Sequence, residues 1–243
     1  MGYKLVWSDE FDYTGAPDPA KWNFEVGGHG WGNNELQYYT DGANAWVKGG
    51  KLIIEARAEK YEDREVTSAR LTTKHKGDWL YGKVEVRAKI PSLLGTWPAI
   101  WMLPTDWEYG GWPDSGEIDI MEHVAYEPEK IYTTVHTGAF NHMLRTHIGE
   151  GRVLPGASEG FHDYVIEWTE DVILFYVDGG LQFTYRPADH TKEITHKEWP
   201  FDKRFHLLIN LAFGGNWGGA KGTQPEGLPA RFEVESVKVW QKE

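Results

Sequence analysis

Three acids fall within six residues in the run Gly116-Glu117-Ile118-Asp119-Ile120-Met121-Glu122-His123. They are interleaved with apolar residues that favour β structure. On a strand the side chains alternate faces, so Glu117 and Asp119 share one face while Ile118 and Ile120 take the other. Glu122 is out of step by one position. A β-bulge at Ile120-Met121 restores it, because a bulge inserts one extra residue and re-aims the side chains beyond it. All three carboxylates then line one face. Such crowding is electrostatically costly, and chains keep it mainly where chemistry uses it.

Paired carboxylates suit glycoside hydrolysis, with one as nucleophile and the other as general acid. In the retaining geometry they sit roughly 5–5.5 Å apart. Positions i and i+4 on a straight strand have Cα atoms about 13 Å apart, at about 3.3 Å per residue. The carboxylates therefore meet only on a curved sheet, concave towards the acids. The alternative reading of the same spacing is an amphipathic strand with a solvated acidic face.

A chain of 243 residues suits one large domain spanning 1–243. Its 25 Lys+Arg against 37 Asp+Glu leave a net charge of −12, which argues against nucleic acid and anionic membrane as partners. The absence of Cys excludes disulfides, thiol catalysis and Cys-ligated zinc. The start, Met1-Gly2-Tyr3-Lys4, carries no apolar signal region, and no segment has the run of about 18 apolar residues that a membrane helix needs. Thirteen Trp and 28 Gly stand out. Aromatic rings stack on the apolar faces of sugars, and Gly builds the turns of an all-β fold. About half of the Trp are expected in the core.

The patterning is β throughout. Lys51 to Ala58 alternates, and so do Val84, Val86, Ala88 and Ile90. Tyr164-Ile166-Trp168 and Ile173-Phe175-Val177 flank a turn, and Asp178-Gly179-Gly180 leads into Leu181-Phe183-Tyr185. Phe205 to Ala212 and Phe232 to Trp240 read as further strands. No long helical period appears. Segments 104–116, 138–161 and 186–203 read as elaborated loops.

Several longer motifs carry a resemblance. They are Trp7-Ser8-Asp9-Glu10-Phe11, Asn33-Asn34-Glu35-Leu36-Gln37-Tyr38-Tyr39-Thr40 and Ser68-Ala69-Arg70-Leu71-Thr72-Thr73-Lys74. Gly95-Thr96-Trp97-Pro98-Ala99-Ile100-Trp101-Met102-Leu103, the acidic strand, Thr134-Val135-His136 and Asn210-Leu211-Ala212 continue them. Together they resemble glycoside hydrolase family 16, in its laminarinase (endo-1,3-β-glucanase) branch, over nearly the whole chain. The resemblance implies a concanavalin-like β-jelly-roll sandwich of two curved antiparallel sheets, with a substrate cleft on the concave face. It makes Glu117 the nucleophile, Glu122 the acid/base and Asp119 the residue between them, with Glu122 kept protonated near neutral pH by its neighbouring acids. The extra Met121 resembles the bulged laminarinase, agarase and carrageenase members rather than the lichenases.

The same resemblance places Asn34 and Arg70 on sugar hydroxyls of the non-reducing side, Trp97 and Trp101 on the cleft floor, and His136 near the acid/base. Asn210 and Trp217 fall at the far rim. It implies no catalytic cofactor but a structural Ca²⁺ on the convex face, held by Glu10, the Gly49 carbonyl and Glu235. The expected partner is a 1,3-β-glucan, acted on by a monomer that is secreted or at the cell surface. Two other readings stand beside this one. The same mechanism serves mixed-linkage glucan or a marine galactan, and a non-catalytic β-glucan-binding protein shares the fold. The intact set of acids disfavours the binding-only role. Segment 106–112 is expected to shape one end of the cleft.

Overall fold

The computed structural model describes residues 2–243. They form a sandwich of two sheets, and all strand pairings but one are antiparallel. The larger sheet runs in the order Gly180–Tyr185, Ile173–Val177, His162–Trp168, Gly82–Lys89, Ala230–Lys242, Leu52–Tyr61, Arg64–Ser68 and Gln37–Tyr39. Tyr3–Asp9 joins it beside Ala230–Lys242, and Ala45–Val47 joins it beside Leu52–Tyr61. The smaller sheet runs Ile148–Val153, Lys130–His136, Glu117–Glu122, Thr96–Pro104, Phe205–Phe213, Arg70–Thr72 and Asn23–Phe24. Asp78–Trp79 also pairs with Phe205–Phe213. The exceptional parallel pair is Gln37–Tyr39 with Arg64–Ser68.

The core lies between the sheets. Ile54, Val84, Val86, Ala88, Phe232 and Val234 from one face meet Ile100, Met102, Ile118, Leu207, Ile209 and Leu211 from the other. Burying each large apolar side chain contributes about 1.5–3 kcal/mol. In Gly82–Lys89 every second residue is buried, which is the signature of a strand with one wet face. Phe205–Phe213 is buried at every position because it lies centrally and its second face forms the cleft floor.

The expected strands all form, with small differences at their ends. Short strands such as Gln37–Tyr39, Ala45–Val47 and Arg64–Ser68 add to them, and Ile148–Val153 pairs with Lys130–His136 inside a segment read as loop. The last is the one that contradicts the reading. Its alternation is weak because two of its positions are glycine. A Cβ at Gly149 would lie 2.5 Å from the Thr133 carbonyl oxygen, and one at Gly151 would lie 2.6 Å from the Tyr132 ring. Glycine here permits close approach, so the residues that weaken the β pattern are those that allow the strand to seat. Among the described residues helix is confined to Gly215–Gly218 and two 3₁₀ turns, and none of these helices is long and apolar enough to cross a membrane.

The bulge falls where the phase of the acids requires it. Asp119 opposes Thr134 and Glu122 opposes Tyr132, so Ile120 and Met121 together face Thr133. On the other side Met121 opposes Ile100 while Asp119 opposes Trp101. Ile118, Ile120 and Met121 all enter the core, and Glu117, Asp119 and Glu122 all line the cleft.

Candidate active site

The cleft crosses the face of the smaller sheet turned away from the core. Thr96–Pro104 contributes Trp97, Ala99, Trp101 and Leu103 to it, the alternate residues of an unbroken register with Phe205–Phe213. One cavity of about 410 Å³ holds the three acids together with Trp31, Arg70, Trp101 and Trp112. A second, of about 470 Å³, continues past them to Tyr132, His136, His147 and Trp217, and shares Trp97, Glu117 and Glu122 with the first. The acids therefore sit where two halves of one groove meet.

Gly116 sets the entry to the acidic strand. Its φ is +89°, and a Cβ would lie 2.7 Å from the Pro200 ring and 2.9 Å from Phe201. Only glycine takes this conformation without strain.

Each glutamate has its own indole. Trp112 Nε1 donates to Glu117 Oε2 at 2.8 Å, and Trp97 Nε1 donates to Glu122 Oε1 at 3.0 Å. Both carboxyls are raised above the ordinary carboxylate range, and burial is the largest cause for each. Their remaining neighbours differ. Glu117 is drawn back down by Trp112, Asp119 and Arg70. Glu122 is pushed further up by the charge of Glu117 and opposed only by Trp97. Asp119 is raised by burial, then by both glutamates. Like charge alone was the expected cause of protonation at Glu122, and the structure ranks burial ahead of it.

The floor is held by a chain of hydrogen bonds. Trp101 Nε1 donates to Asn210 Oδ1 at 2.7 Å, and Asn210 Nδ2 donates to the Tyr39 hydroxyl at 3.0 Å. The Tyr39 hydroxyl donates to Glu35 Oε2 at 3.2 Å, and Gln37 Nε2 donates to the same oxygen at 2.6 Å. Gln37 Oε1 then accepts from the Phe213 backbone at 2.8 Å, so the orientation of Trp101 is tied to the sheet itself. The Arg70 guanidinium lies between two rings, 4.6 Å from Trp31 and 4.7 Å from Trp101, and its Nε donates to Glu25. A flat cation fixed between two indoles presents a rigid aromatic edge to a ligand.

The other sequence-predicted residues are distributed around this centre. Asn34 is exposed, with φ +54°, and donates to Asn216; its neighbour Asn33 lines the cavity. Asn210 is a buried floor residue rather than part of the rim, because its strand is central. Trp217 is at the far side, edge-on to both Trp97 and Tyr132. His136 opposes Glu117 across the strands, and its Nε2 lies 3.5 Å from Asp119 Oδ2 and 3.9 Å from Glu117 Oε1. It therefore lies beside Glu117 and Asp119 rather than beside Glu122, where the resemblance placed it. Burial and the neighbouring His142 and His147 lower it to about 3, so the ring is neutral. Six of the thirteen Trp line the groove and four are buried elsewhere.

Glu10, Gly49 and Glu235 come to one region of the larger sheet, since Asp9 pairs with Val237 and Leu52 pairs with Val234. The two carboxylates face cations there. Glu10 meets Lys238 at 3.4 Å, and Glu235 meets Arg87 at 2.8 Å. The donor set suits a hard ion, but an ion seated there has to displace both pairs.

Trp31, Glu35, Trp112 and His142 line the groove, and Tyr39 supports its floor, without being marked as site residues by the sequence. Trp112 belongs to the segment expected to shape the cleft, and Glu35 and Tyr39 lie inside one of the family-like motifs. Trp31 and His142 sit on loops and carry no periodic signal.

The family described as "Glycosyl hydrolases family 16" matches residues 30–228. The chain is 54% identical to a β-glucanase of Rhodothermus marinus over 98% of its own length and 85% of the relative's. It is 42% identical to a glucan endo-1,3-β-glucosidase of Cryptopygus antarcticus, covering 97% of this chain and 91% of that one. The crystal structure of the laminarinase from Rhodothermus marinus superposes with a TM-score of 0.96 at 53% identity, covering 99% of this chain and 98% of that one. With an acidic strand bulged between its two glutamates, on a jelly roll that matches to this degree, the chain belongs to glycosyl hydrolase family 16.

Proposed function

We propose that this protein cleaves 1,3-β-glucan chains internally with retention of anomeric configuration. The observation that carries the assignment of roles is the unequal company of the two glutamates. Glu117 has three neighbours that favour its charge and Glu122 has one, while the charge of Glu117 disfavours a second charge at Glu122. Glu117 is thus the group ready to attack, and Glu122 the group ready to donate. In the first step Glu117 bonds to the anomeric carbon while Glu122 gives its proton to the departing glycosidic oxygen. In the second, Glu122 takes a proton from water, and that water displaces Glu117 from the sugar. Asp119 lies on the same face as Glu117, and the mutual influence of the two carboxyls adjusts the charge of Glu117 through the cycle.

The groove favours internal cleavage because cavities continue on both sides of the acids. The glycone side is assigned to Trp31, Arg70 and Trp101, and the leaving side to Tyr132, His136 and Trp217. Substrate linkage is read from the relatives' names, 1,3-β-glucosidase and laminarinase. A polymer of this size is met outside the cell, so we place the protein in the medium or at the cell surface, acting as a monomer. The Glu10–Gly49–Glu235 position is proposed as a weak structural calcium site, because the exposed pairs that compete for its carboxylates are each worth about 0–1 kcal/mol.

The test is product analysis on laminarin for the wild type beside Glu117→Ser, with mixed-linkage glucan, agarose and carrageenan in parallel. Short 1,3-linked products of retained configuration, lost in the variant, are expected. Cleavage of another polymer but not laminarin overturns the substrate. Binding of laminarin with no cleavage of any polymer overturns the hydrolase reading.

A further inference from the structure

Among the described residues, one group of three metal-ligating side chains converges, and it lies in the groove: Glu117, Asp119 and His136, whose donor atoms are all within 4.8 Å of one another. In the proposed hydrolysis the imidazole lines the leaving side but takes no part in the bond changes. A tetrahedral ion with bonds of about 2.0–2.2 Å to N and O donors needs those donors about 3.4 Å apart. Asp119 Oδ2 and Glu117 Oε1 lie 3.5 and 3.9 Å from His136 Nε2, and no two of the three donors are more than 4.8 Å apart.

A second observation is independent of the spacing. Asp119 is only 3% exposed, yet its Oδ2 has no hydrogen-bond partner and is aimed at the imidazole. A buried acceptor left open is costly. Here the opening faces a groove that a small solute can enter. The donor chemistry discriminates among ions. Calcium and magnesium prefer oxygen shells, whereas one imidazole with two carboxylates suits zinc or copper. His142 and His147, with ring centroids 5.3 and 5.9 Å from that of His136, line the approach.

We propose that Glu117, Asp119 and His136 form an inhibitory site for one divalent transition-metal ion of the zinc and copper class. The ion takes His136 Nε2, one oxygen of Asp119 and one of Glu117, with water completing its shell. Any proton carried by the two carboxyls is released to solvent as it binds. The bound ion occupies the lone pair with which Glu117 attacks, so hydrolysis stops, and a chelator reverses the block. This consequence for activity rests on the hydrolase reading, whereas the binding does not.

Calorimetric titration of the free protein with Zn²⁺ tests the site without substrate. One ion per chain is expected, with a rise in melting temperature. His136→Gln and Glu117→Gln each remove a different ligand, and each should weaken zinc by at least about tenfold. The double variant His142→Ala/His147→Ala should retain binding. Laminarin cleavage, measured in chelator and then with Zn²⁺, should fall and recover on renewed chelation. Absence of binding at millimolar Zn²⁺ overturns the proposal, as does wild-type affinity in both Gln variants or loss of binding only in the double variant. Cleavage in chelator is a separate readout, so failure of the metal site is distinguishable from failure of the hydrolase reading.

Discussion

Replacing Trp112 by Phe removes the indole N–H that reaches Glu117 at 2.8 Å while keeping a ring beside His142, 4.9 Å away. A hydrogen bond to a charged group is worth about 1.5–3 kcal/mol, and one pKa unit corresponds to about 1.36 kcal/mol. The bond favours the ionised nucleophile, so its loss raises the Glu117 carboxyl by about 1–2 units. Burial already holds that carboxyl above the ordinary range, and the two effects have the same sign. The acid limb of kcat/KM reports ionisation of the free enzyme's nucleophile, so it should move up by that amount and narrow the profile from below. Trp97→Phe is the mirror experiment. It removes the donor at Glu122, raises the acid/base and moves the alkaline limb up instead. Because the acids titrate as a cluster, the informative quantity is which limb moves in which variant. The assay is kcat/KM on a soluble 1,3-linked oligosaccharide across pH. If Trp112→Phe leaves the acid limb in place, or if both variants move the same limb, the division of roles between the two glutamates is refuted.

The same geometry sets other outcomes. Glu117, Asp119 and Glu122 are all raised in the folded state, which therefore holds more protons than the unfolded chain between the ordinary carboxylate range and the raised values. Stability should fall as pH rises through that window, and Asp119→Asn should flatten the fall, seen as a melting-temperature gain over the wild type that grows towards its alkaline end. Gly116→Ala should cost more than about 1 kcal/mol in denaturant unfolding and lower kcat, because the added Cβ meets Pro200 and Phe201 at the start of the acidic strand. Trp168→Ala, in a fully buried position whose indole donates to the Phe201 carbonyl at 3.0 Å, should cost about 3–5 kcal/mol while leaving both limbs of the pH profile unmoved in whatever fraction folds. Calcium should raise the melting temperature and chelator lower it; an unchanged value in both removes the Glu10–Gly49–Glu235 site.

Features that depend on phase were legible in the sequence. The alternation of Glu117, Ile118 and Asp119, broken at Glu122, demanded a bulge, and the strand pairings contain it at Ile120-Met121. The spacing of Trp97 and Trp101 demanded a shared face, and both line the groove. Features that depend on loop paths stayed hidden. Trp31 reaches Arg70 from a turn with φ +50°, and His142 reaches Trp112 from a loop, neither position being marked by any period. Asn33 and Asn34 are adjacent and identical in type, so only the backbone conformation decides which one lines the groove. His136 could be placed on a strand, but its expected place near Glu122 gave way to one opposite Glu117, because its partner depends on the register of the two strands.

That bulge has a further consequence for how the groove can be tuned. One residue of a strand advances about 3.3 Å. Upstream of Ile120 the acidic strand keeps one registration with its neighbours, and downstream it keeps another, displaced by that single step. The strand therefore works like a vernier between two scales. The nucleophile is read against one scale and the proton donor against the other. Side chains on the leaving side can be exchanged or shifted against the downstream scale without disturbing the seat of Glu117, so the chemistry and the grip on the departing chain are separately adjustable on one continuous strand.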